Sequence, residues 1–384
     1  MSAASPDADL SNWRLPPFNH WAFHHIRDIL PVADVDNRPG DVMPLPPGAA
    51  SLDGFSLPWG DGARLTLQEV LDQTKTDAIV VLKDGRLVFE AYANGMAPET
   101  PHIWMSATKS LVGLVAGLLD ATGAIDFAAP VTGYLPELAG TAYDGATLRQ
   151  LTDMRTGRGL DAAGQADYAS AGGWDPPTPG APSGLHAFFR GLRGAHRPHG
   201  GPFSYISGNA DLLAWVMERA TGESFAALAS RLLWRPLGAE QPAFVTLDPD
   251  GAPRCTGGYC ATAGDFARLG QLMVDGGRRG DVQVIPPALV EDIATGGDPE
   301  AWATGEWGRL FGFTGGPMRY RTGWYVVDSE PQLLFAMGIH GQNLFVDRAN
   351  RIVVAKLSSQ ASRIDYTAVP MTHHMVAEIQ RVLG

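Results

Sequence analysis

Apolar residues recur at helical spacing in the run LVGLVAGLLDATG, which occupies positions 111–123. The positions that follow the 3.6-residue period are Leu111, Leu114, Val115, Leu118 and Leu119. Gly123 stands where such a helix would end. Because valine and alanine make the remaining faces apolar as well, the helix is predicted to be buried.

A different pattern, typical of β-strands, occurs towards both ends of the chain. Two apolar, β-branched runs at 77–83 and 86–92 flank the pair Asp84-Gly85, which predicts a β-hairpin. Further strands are predicted at 320–327, 332–339, 343–346 and 352–357. Strands near both ends with helices between them predict one antiparallel sheet that both ends of the chain build.

Helical periodicity continues through the middle of the sequence. It predicts helices at 21–30, 65–74, 147–154, 185–192, 210–221, 225–232, 263–274, 287–293 and 367–383. A loop rich in Gly, Pro and Ala is predicted at 156–184, and loops this long in compact proteins are usually functional or disordered.

These elements predict an α+β fold with an inserted, mostly helical region beside the sheet. We divide the chain into an N-terminal arm at 1–62, an α/β region at 63–125 plus 300–384, and a helical region at 126–299. The arm is rich in Pro and Gly and is expected to pack on the body.

The start of the buried helix carries a candidate nucleophile and a candidate base. Ser106 and Lys109 are three residues apart, so a helical first turn would bring the hydroxyl and the amine together on one face. A serine needs a neighbouring base to become a nucleophile, and a free lysine with a pKa near 10.4 is protonated at neutral pH. Burial can lower an ammonium pKa by the roughly three units, about 4 kcal/mol, that this role requires.

The alternative is that this spacing arises by accident. The chain has only four lysines among its 29 basic Lys and Arg residues, and Lys109 is the one with a serine three positions before it. Arginine would stay charged and could not act as the base.

Composition narrows the classes of function. With a net charge of −12 and no block of basic residues, the chain is not expected to bind nucleic acid or an anionic membrane, and a neutral or cationic small molecule fits better. No apolar segment is long enough to span a membrane, and the start lacks the pattern of a secretory signal, which predicts a cytoplasmic protein. Two cysteines, Cys255 and Cys260, are too few for a disulfide framework, and whether they pair stays open.

The Ser-x-x-Lys stretch after a hairpin resembles the penicillin-recognising serine hydrolases, which include class C β-lactamases, DD-peptidases and family VIII esterases. In these enzymes a tyrosine opens a Tyr-x-Asn element before a helix that ends in E-x-x-T-G. Tyr205 holds that place in PFSYISGNADLLAWVMERATG. The resemblance implies a serine β-lactamase-like fold with Ser106, Lys109 and Tyr205 as catalytic residues.

Two departures from this pattern narrow the substrate. Ser207 replaces the Asn of Tyr-x-Asn, which argues against β-lactam recognition. The third family element, Lys-Thr-Gly or His-x-Gly on a strand, aligns with residues 336–338 and lacks its cationic first residue. A lysine there usually binds a substrate carboxylate, so penicillins and D-Ala-D-Ala peptides are poor candidates.

One subgroup fits most of the chain. The chain resembles the 6-aminohexanoate-dimer hydrolases, which cleave a linear nylon-oligomer amide, and their esterase relatives. The segments that carry this resemblance are SNWRLPPFNHWAFHHIRDILP, WMSATKS, GGYCATAGDFARLGQLMVDGG and GIHGQ.

The resemblance implies roles for further residues. The backbone N–H groups of Ser106 and Ile339 would form the oxyanion hole, and a loop tyrosine and aspartate, here Tyr168 and Asp175, would contact the substrate amide and its terminal ammonium. Ser207, Gly338 and His340 are further candidates for substrate binding. His340 could instead be a catalytic base or a structural hydrogen-bonding residue, and the sequence leaves these alternatives open.

We therefore expect a serine hydrolase for short linear amides that needs no metal or organic cofactor. A carboxylesterase shares every motif, and a penicillin-binding or silent module that never turns over is the alternative from another class. The expected partner is a small molecule, and a homodimer is left open.

Overall fold

A computed structural model describes residues 7–60, 62–157, 159–160, 162–194 and 197–384. Its main sheet has seven antiparallel strands in the order β3-β4-β5-β6-β7-β1-β2. The strands are β1 (Thr76–Lys83), β2 (Arg86–Tyr92), β3 (Met318–Arg321), β4 (Trp324–Val327), β5 (Leu333–Gly338), β6 (Gln342–Asp347) and β7 (Ile352–Ser358). The predicted sheet built from both ends of the chain is thus confirmed, since β7 pairs with β1.

The β1–β2 hairpin forms as predicted. Asp84 and Gly85 both adopt positive φ angles, 53° and 73°, which matches the twist that a two-residue hairpin turn requires. A register shift between Val81 and Leu82 bends the strand near this turn.

The predicted strand at 320–327 is wrong, because the structure has a second hairpin there. Thr322 and Gly323 form its turn with φ angles of 51° and 83°, and Arg321 pairs with Trp324 across it. Both residues occupy the left-handed region, so the chain reverses where the apolar pattern alone predicted one continuous strand.

Most helices lie within a few residues of their predicted bounds. The longer ones are α1 (Thr108–Ala121), α2 (Gly208–Thr221), α3 (Ala263–Val274), α4 (Pro287–Thr295) and α5 (Ala368–Leu383). The shorter ones are Leu67–Gln73, Val131–Tyr134, Leu148–Thr152, Leu185–Gly191, Phe225–Ala229, Arg235–Leu237 and Pro299–Ala303. Thr66 and Thr147 cap two of them with complete capping boxes, which explains where those helices begin.

Two predictions for the N-terminal half are wrong. The segment 21–30 is not one helix but the short helix Asn19–Ala22 followed by a 3₁₀ turn at Ile26–Asp28. The predicted loop at 156–184 contains a ten-residue helix, Ala162–Ala171. Its alanine and glycine content gave little apolar periodicity, so the pattern did not reveal it.

A second sheet lies apart from the main one and was not predicted. It orders the strands Val32–Val35, Ala243–Thr246, Tyr259–Ala261 and His102–Ile103. These strands are two to four residues long, too short for an alternating pattern to stand out. The division of the chain into three regions stays a prediction.

Helix α1 lies in the core between the main sheet and the helical region. Its residues from Thr108 to Leu119 are all buried. Gly113 permits a close approach, since a Cβ there would stand 2.0 Å from the carbonyl oxygen of Thr322. The turn of the unpredicted hairpin therefore packs directly on the helix that begins at the Ser-x-x-Lys stretch.

Candidate active site

The candidate nucleophile lies on a 3₁₀ turn rather than inside a regular helix. Ser106 occupies the turn Met105–Ala107, which leads directly into α1. Met105 adopts a φ of 47°, which is uncommon for a residue with a side chain and is held here by complete burial. This turn directs Ser106 to the wall of a cavity.

Ser106 and Lys109 meet as their spacing predicts. The Lys109 Nζ lies 2.9 Å from Ser106 Oγ. The same amine donates to the backbone carbonyl of Thr256 and lies 3.1 Å from the Thr256 hydroxyl. A neutral amine has two N–H groups and one lone pair, so two donors can satisfy Thr256 while the lone pair faces the serine.

The surroundings of Lys109 favour its neutral form. Burial lowers the pKa of Lys109 to about 7. The charge of Asp211 opposes this change, while Arg254 adds to it. Near neutral pH a large fraction of the molecules therefore carries an uncharged amine beside Ser106.

Tyr205 also lies close to the amine. Its ring centroid is 5.0 Å from Lys109 Nζ, and the ring stacks on Trp307 at 4.4 Å. Burial raises the pKa of the Tyr205 phenol, although interactions with Ser106 and Tyr325 lower it. The phenol therefore keeps its proton at neutral pH and can donate it.

A cavity of about 870 Å³ opens above these three residues, within the range of small-molecule sites. Its wall includes predicted site residues from separate parts of the chain: Ser106, Tyr168, Asp175, Tyr205, Ser207, Gly338 and Ile339. Lys109 lies beneath this wall and reaches it through Ser106. The structure thus brings most of the predicted residues around one space.

The end of β5 passes close to the serine turn. A Cβ on Gly338 would stand 2.5 Å from the Trp104 carbonyl oxygen and 2.9 Å from the Ser106 nitrogen. Only glycine allows this approach, which brings Ile339 to the cavity beside Ser106. The oxyanion role of the Ser106 and Ile339 N–H groups stays a prediction.

Tyr168 and Asp175 line the cavity but are engaged with other side chains. The Tyr168 hydroxyl donates to the buried carboxylate of Asp211. Asp175 forms an ion pair with Arg14, which also lines the cavity. Their predicted contacts with substrate stay predictions, and the Tyr168 hydroxyl already donates its hydrogen bond to Asp211.

His340 does not face the cavity in the way its position in the sequence suggested. Its Nδ1 lies 2.7 Å from the Gln360 carbonyl oxygen, and its ring packs on Phe23 at 5.1 Å. Burial lowers the pKa of His340 to about 4. A left-handed φ of 62° turns the side chain into the protein, so the geometry fits the structural alternative rather than a base or a substrate ligand.

The sequence did not identify the residues that hold the Lys109 side chain in place. Thr256 accepts from the amine, and Asp211 accepts from the Thr256 N–H at 2.7 Å. Arg254 forms a buried ion pair with Asp211 at 2.8 Å. These residues are more than 100 positions from Lys109 and match no spacing motif, so no sequence signal could have identified them.

Three further observations concern other kinds of site. In the part of the chain that the structure describes, no cluster of three or more His, Cys, Asp or Glu side chains could hold a metal ion. Both thiols, Cys255 and Cys260, are free and buried. No helix among the described residues has the length and apolar character needed to cross a membrane.

The sequence also matches a known family profile. The profile described as Beta-lactamase aligns with residues 64–370, a span that contains Ser106, Lys109 and Tyr205. The chain belongs to the Beta-lactamase family. The predicted serine β-lactamase-like α+β fold is thereby confirmed.

Several members of the Beta-lactamase family are similar over much of the chain. A 6-aminohexanoate-dimer hydrolase of Paenarthrobacter ureafaciens is 36% identical over 363 residues, covering 93% of this chain and 89% of that protein. Esterase EstB of Burkholderia gladioli is 30% identical over 235 residues, covering 54% and 56%. A solved structure from Bacillus anthracis, described as a candidate 6-aminohexanoate-dimer hydrolase, is 27% identical with a TM-score of 0.88, covering 99% and 98%.

These relatives confirm the predicted relationship to the 6-aminohexanoate-dimer hydrolases. The relatives with named activities are hydrolases, and this chain is accordingly a hydrolase of the Beta-lactamase family.

Proposed function

We propose that this chain hydrolyses short linear amides, such as 6-aminohexanoate dimer, through an acyl-enzyme on Ser106. The observation that carries the proposal is the 2.9 Å contact between Ser106 Oγ and an amine whose pKa burial lowers to about 7. The similarity to the Paenarthrobacter enzyme over most of both chains supports the choice of substrate class.

In the first step, the lone pair of neutral Lys109 accepts the Ser106 proton while Oγ attacks the substrate carbonyl. The amine is held for this by its bonds to Thr256. The N–H groups of Ser106 and Ile339 then bind the oxyanion, and each such donor contributes about 3 kcal/mol.

Tyr205 assists the release of the amine leaving group of the substrate. Its raised pKa keeps the phenol protonated, so it can pass its proton to the leaving nitrogen and regain one from Lys109. General acid–base help of this kind contributes roughly 10²- to 10⁴-fold in rate. Water then attacks the acyl-enzyme, with Lys109 and Tyr205 acting together to remove its proton.

A carboxylesterase is the second candidate, because Esterase EstB is a relative over about half of the chain. The same three residues would serve it, but an alkoxide leaving group needs less protonation than an amine. A penicillin-binding or silent module is the third candidate, and it would turn over no substrate.

The test is hydrolysis of three compounds by the wild-type chain and by Ser106→Ala. The compounds are 6-aminohexanoate dimer, a p-nitrophenyl ester and a chromogenic cephalosporin. We expect the wild type to cleave the dimer and Ser106→Ala to cleave none of the three. Ser51→Ala, which removes an exposed serine outside the cavity wall, is the matched control and should stay active.

Retained hydrolysis in Ser106→Ala would exclude the mechanism. Cleavage of the ester but not the dimer would favour the esterase, and no turnover by the wild type would favour the silent module. A cytoplasmic location and a homodimer also stay predictions, which cell fractionation and size-exclusion chromatography would test.

A further inference from the structure

Asp211 is a buried carboxylate that joins three separate parts of the chain beneath the cavity. It lies in the first turn of α2, and its side chain has no exposed surface. It accepts from the Thr256 N–H at 2.7 Å, from Arg254 Nη1 at 2.8 Å and from the Tyr168 hydroxyl. Burial raises the pKa of this carboxyl, whereas Arg254, the Tyr168 hydroxyl and the Thr256 N–H lower it. These donors bind both oxygens and favour the ionised form.

Thr256 connects this carboxylate to the amine that acts on Ser106. Its N–H is held by Asp211, while its carbonyl and hydroxyl oxygens both accept from Lys109. A shift of Thr256 would therefore displace both acceptors that fix the direction of the amine lone pair. Placement errors of this kind cost large factors in rate even when no reacting atom is altered.

We propose that Asp211 is a positioning residue for the Ser106 reaction, which holds Thr256 against Lys109 and places a negative charge near this buried amine. The inference rests on the proposed function of Ser106 and Lys109. It also gives Tyr168 a role different from the predicted one, because its hydroxyl ties the helix Ala162–Ala171 to the same carboxylate.

The charges around Lys109 support this role. Burial lowers its pKa most, Asp211 raises it, Arg254 lowers it and Cys255 raises it. Burial raises the pKa of the Cys255 thiol, so this group is neutral near pH 7 and Asp211 is the negative charge that acts on the amine. Without it, Lys109 would be neutral over a wider pH range but a weaker base.

The experiment measures how fast a fluorophosphonate probe labels Ser106 as a function of pH. Labelling requires the same activation of the hydroxyl but no particular substrate. In Asp211→Asn we expect the acid limb to move to lower pH by about one unit or more, with a lower plateau, because the opposing positive charge of Arg254 remains. In Arg254→Gln the limb should move to higher pH, since Asp211 then acts alone.

A matched control separates this effect from a general loss of stability. Asp265 is another fully buried aspartate paired with an arginine, Arg268 at 3.0 Å, and it is not among the groups that act on Lys109. Asp265→Asn should lower stability and leave the acid limb where the wild type has it. Circular dichroism establishes which variants fold. Asp211→Asn and Arg254→Gln each test the inference separately, because a definite and opposite direction of shift is predicted for each.

Limbs that coincide with the wild type in Asp211→Asn or Arg254→Gln, or that move in the same direction in both, would overturn the inference while leaving the proposed function intact. Failure of the probe to label Ser106 in the wild type would instead contradict the proposed function.

Discussion

At the scale of single residues, the proposed mechanism makes the reaction of Ser106 depend on the protonation state of Lys109. The amine is surrounded by Ser106, by two oxygens of Thr256 and by the ring of Tyr205. Three oxygens and a ring can accept from an ammonium as well as from a neutral amine, so burial is what favours the neutral form. Catalysis should therefore follow the titration of one buried amine.

The pH dependence follows from the direction of this shift. Because burial lowers the Lys109 pKa to about 7, the amine is protonated below that pH and cannot accept the Ser106 proton. We expect kcat/KM for a substrate that does not itself ionise to rise with pH through a limb near 7. Activity that stays constant from pH 5 to pH 9 would contradict the role of Lys109 as the base.

Replacing Tyr205 should affect amides more than esters. In Tyr205→Phe the stacking on Trp307 can persist, but the proton donor is lost. We expect kcat for an amide to fall by roughly 10²-fold or more and kcat for a p-nitrophenyl ester of the same acyl group to fall much less. Equal losses on the two substrates would remove the proton-donor role.

The sequence predicted the contact between Ser106 and Lys109 but not the residues that hold Lys109 in place. Ser106 and Lys109 are three positions apart, so local helical geometry was enough to bring them together. Thr256 and Asp211 reach Lys109 only through the folded chain, and no local rule connects them. The sequence left the role of His340 open, because no sequence pattern reveals the left-handed φ of 62° or the burial of its ring.

At the scale of elements, helix α1 fits against the turn of the β3–β4 hairpin. The Ser110 hydroxyl donates to the Gly323 carbonyl at 2.6 Å, and a Cβ on Gly323 would stand 2.3 Å from the Lys109 carbonyl. This turn therefore fixes the first turn of the helix that carries Lys109.

Gly113→Ala tests the close packing of α1 against this hairpin turn. Alanine has the better helix propensity by about 1 kcal/mol, but its Cβ would lie 2.0 Å from the Thr322 carbonyl oxygen. Because backbone must then move, we expect the apparent free energy of unfolding in urea to fall by about 2 kcal/mol or more, with a loss of activity.

Gly133→Ala is the control for that substitution. Gly133 also lies in a helix, and its added Cβ would meet only a Pro130 carbon at 3.9 Å. Stability should stay the same or rise there. A neutral Gly113→Ala would show that α1 does not depend on the close approach.

The elements that sequence patterns missed share a physical reason. The Thr322-Gly323 turn lies inside the segment 320–327 that was predicted as one strand, and the strands of the second sheet are at most four residues long. In both cases tertiary pairing determines the structure and local periodicity does not. Long elements such as α3, whose bounds agree with the prediction, have enough turns for the pattern to be decisive.

At the scale of the whole molecule, buried histidines make the fold sensitive to acid. Burial lowers the pKa of His373 to about 3, and its ring lies within 5.0 Å of the rings of Phe335 and Phe345. In the unfolded chain a histidine titrates near 6.5, so only the unfolded state gains this proton as the pH falls from 6.5 towards 3. His340, with a pKa of about 4, acts in the same direction.

We therefore expect the protein to lose stability between pH 6.5 and pH 4.5, with His373 alone accounting for about 2 kcal/mol. His373→Phe should reduce this loss, because phenylalanine fits an aromatic surrounding and cannot bind the proton. Thermal unfolding of the two proteins at pH 8 and pH 4.5 measures the difference. The same decrease in both proteins would show that His373 is not responsible.

The proposed function requires a covalent bond between Ser106 and an acyl group, and trapping that bond tests it most directly. A p-nitrophenyl ester is mixed with the wild-type enzyme, quenched in acid within the first turnover, and analysed by peptide mass spectrometry. The account predicts an acyl adduct on Ser106 that appears together with a burst of p-nitrophenol. Steady turnover with the adduct on another residue would contradict it.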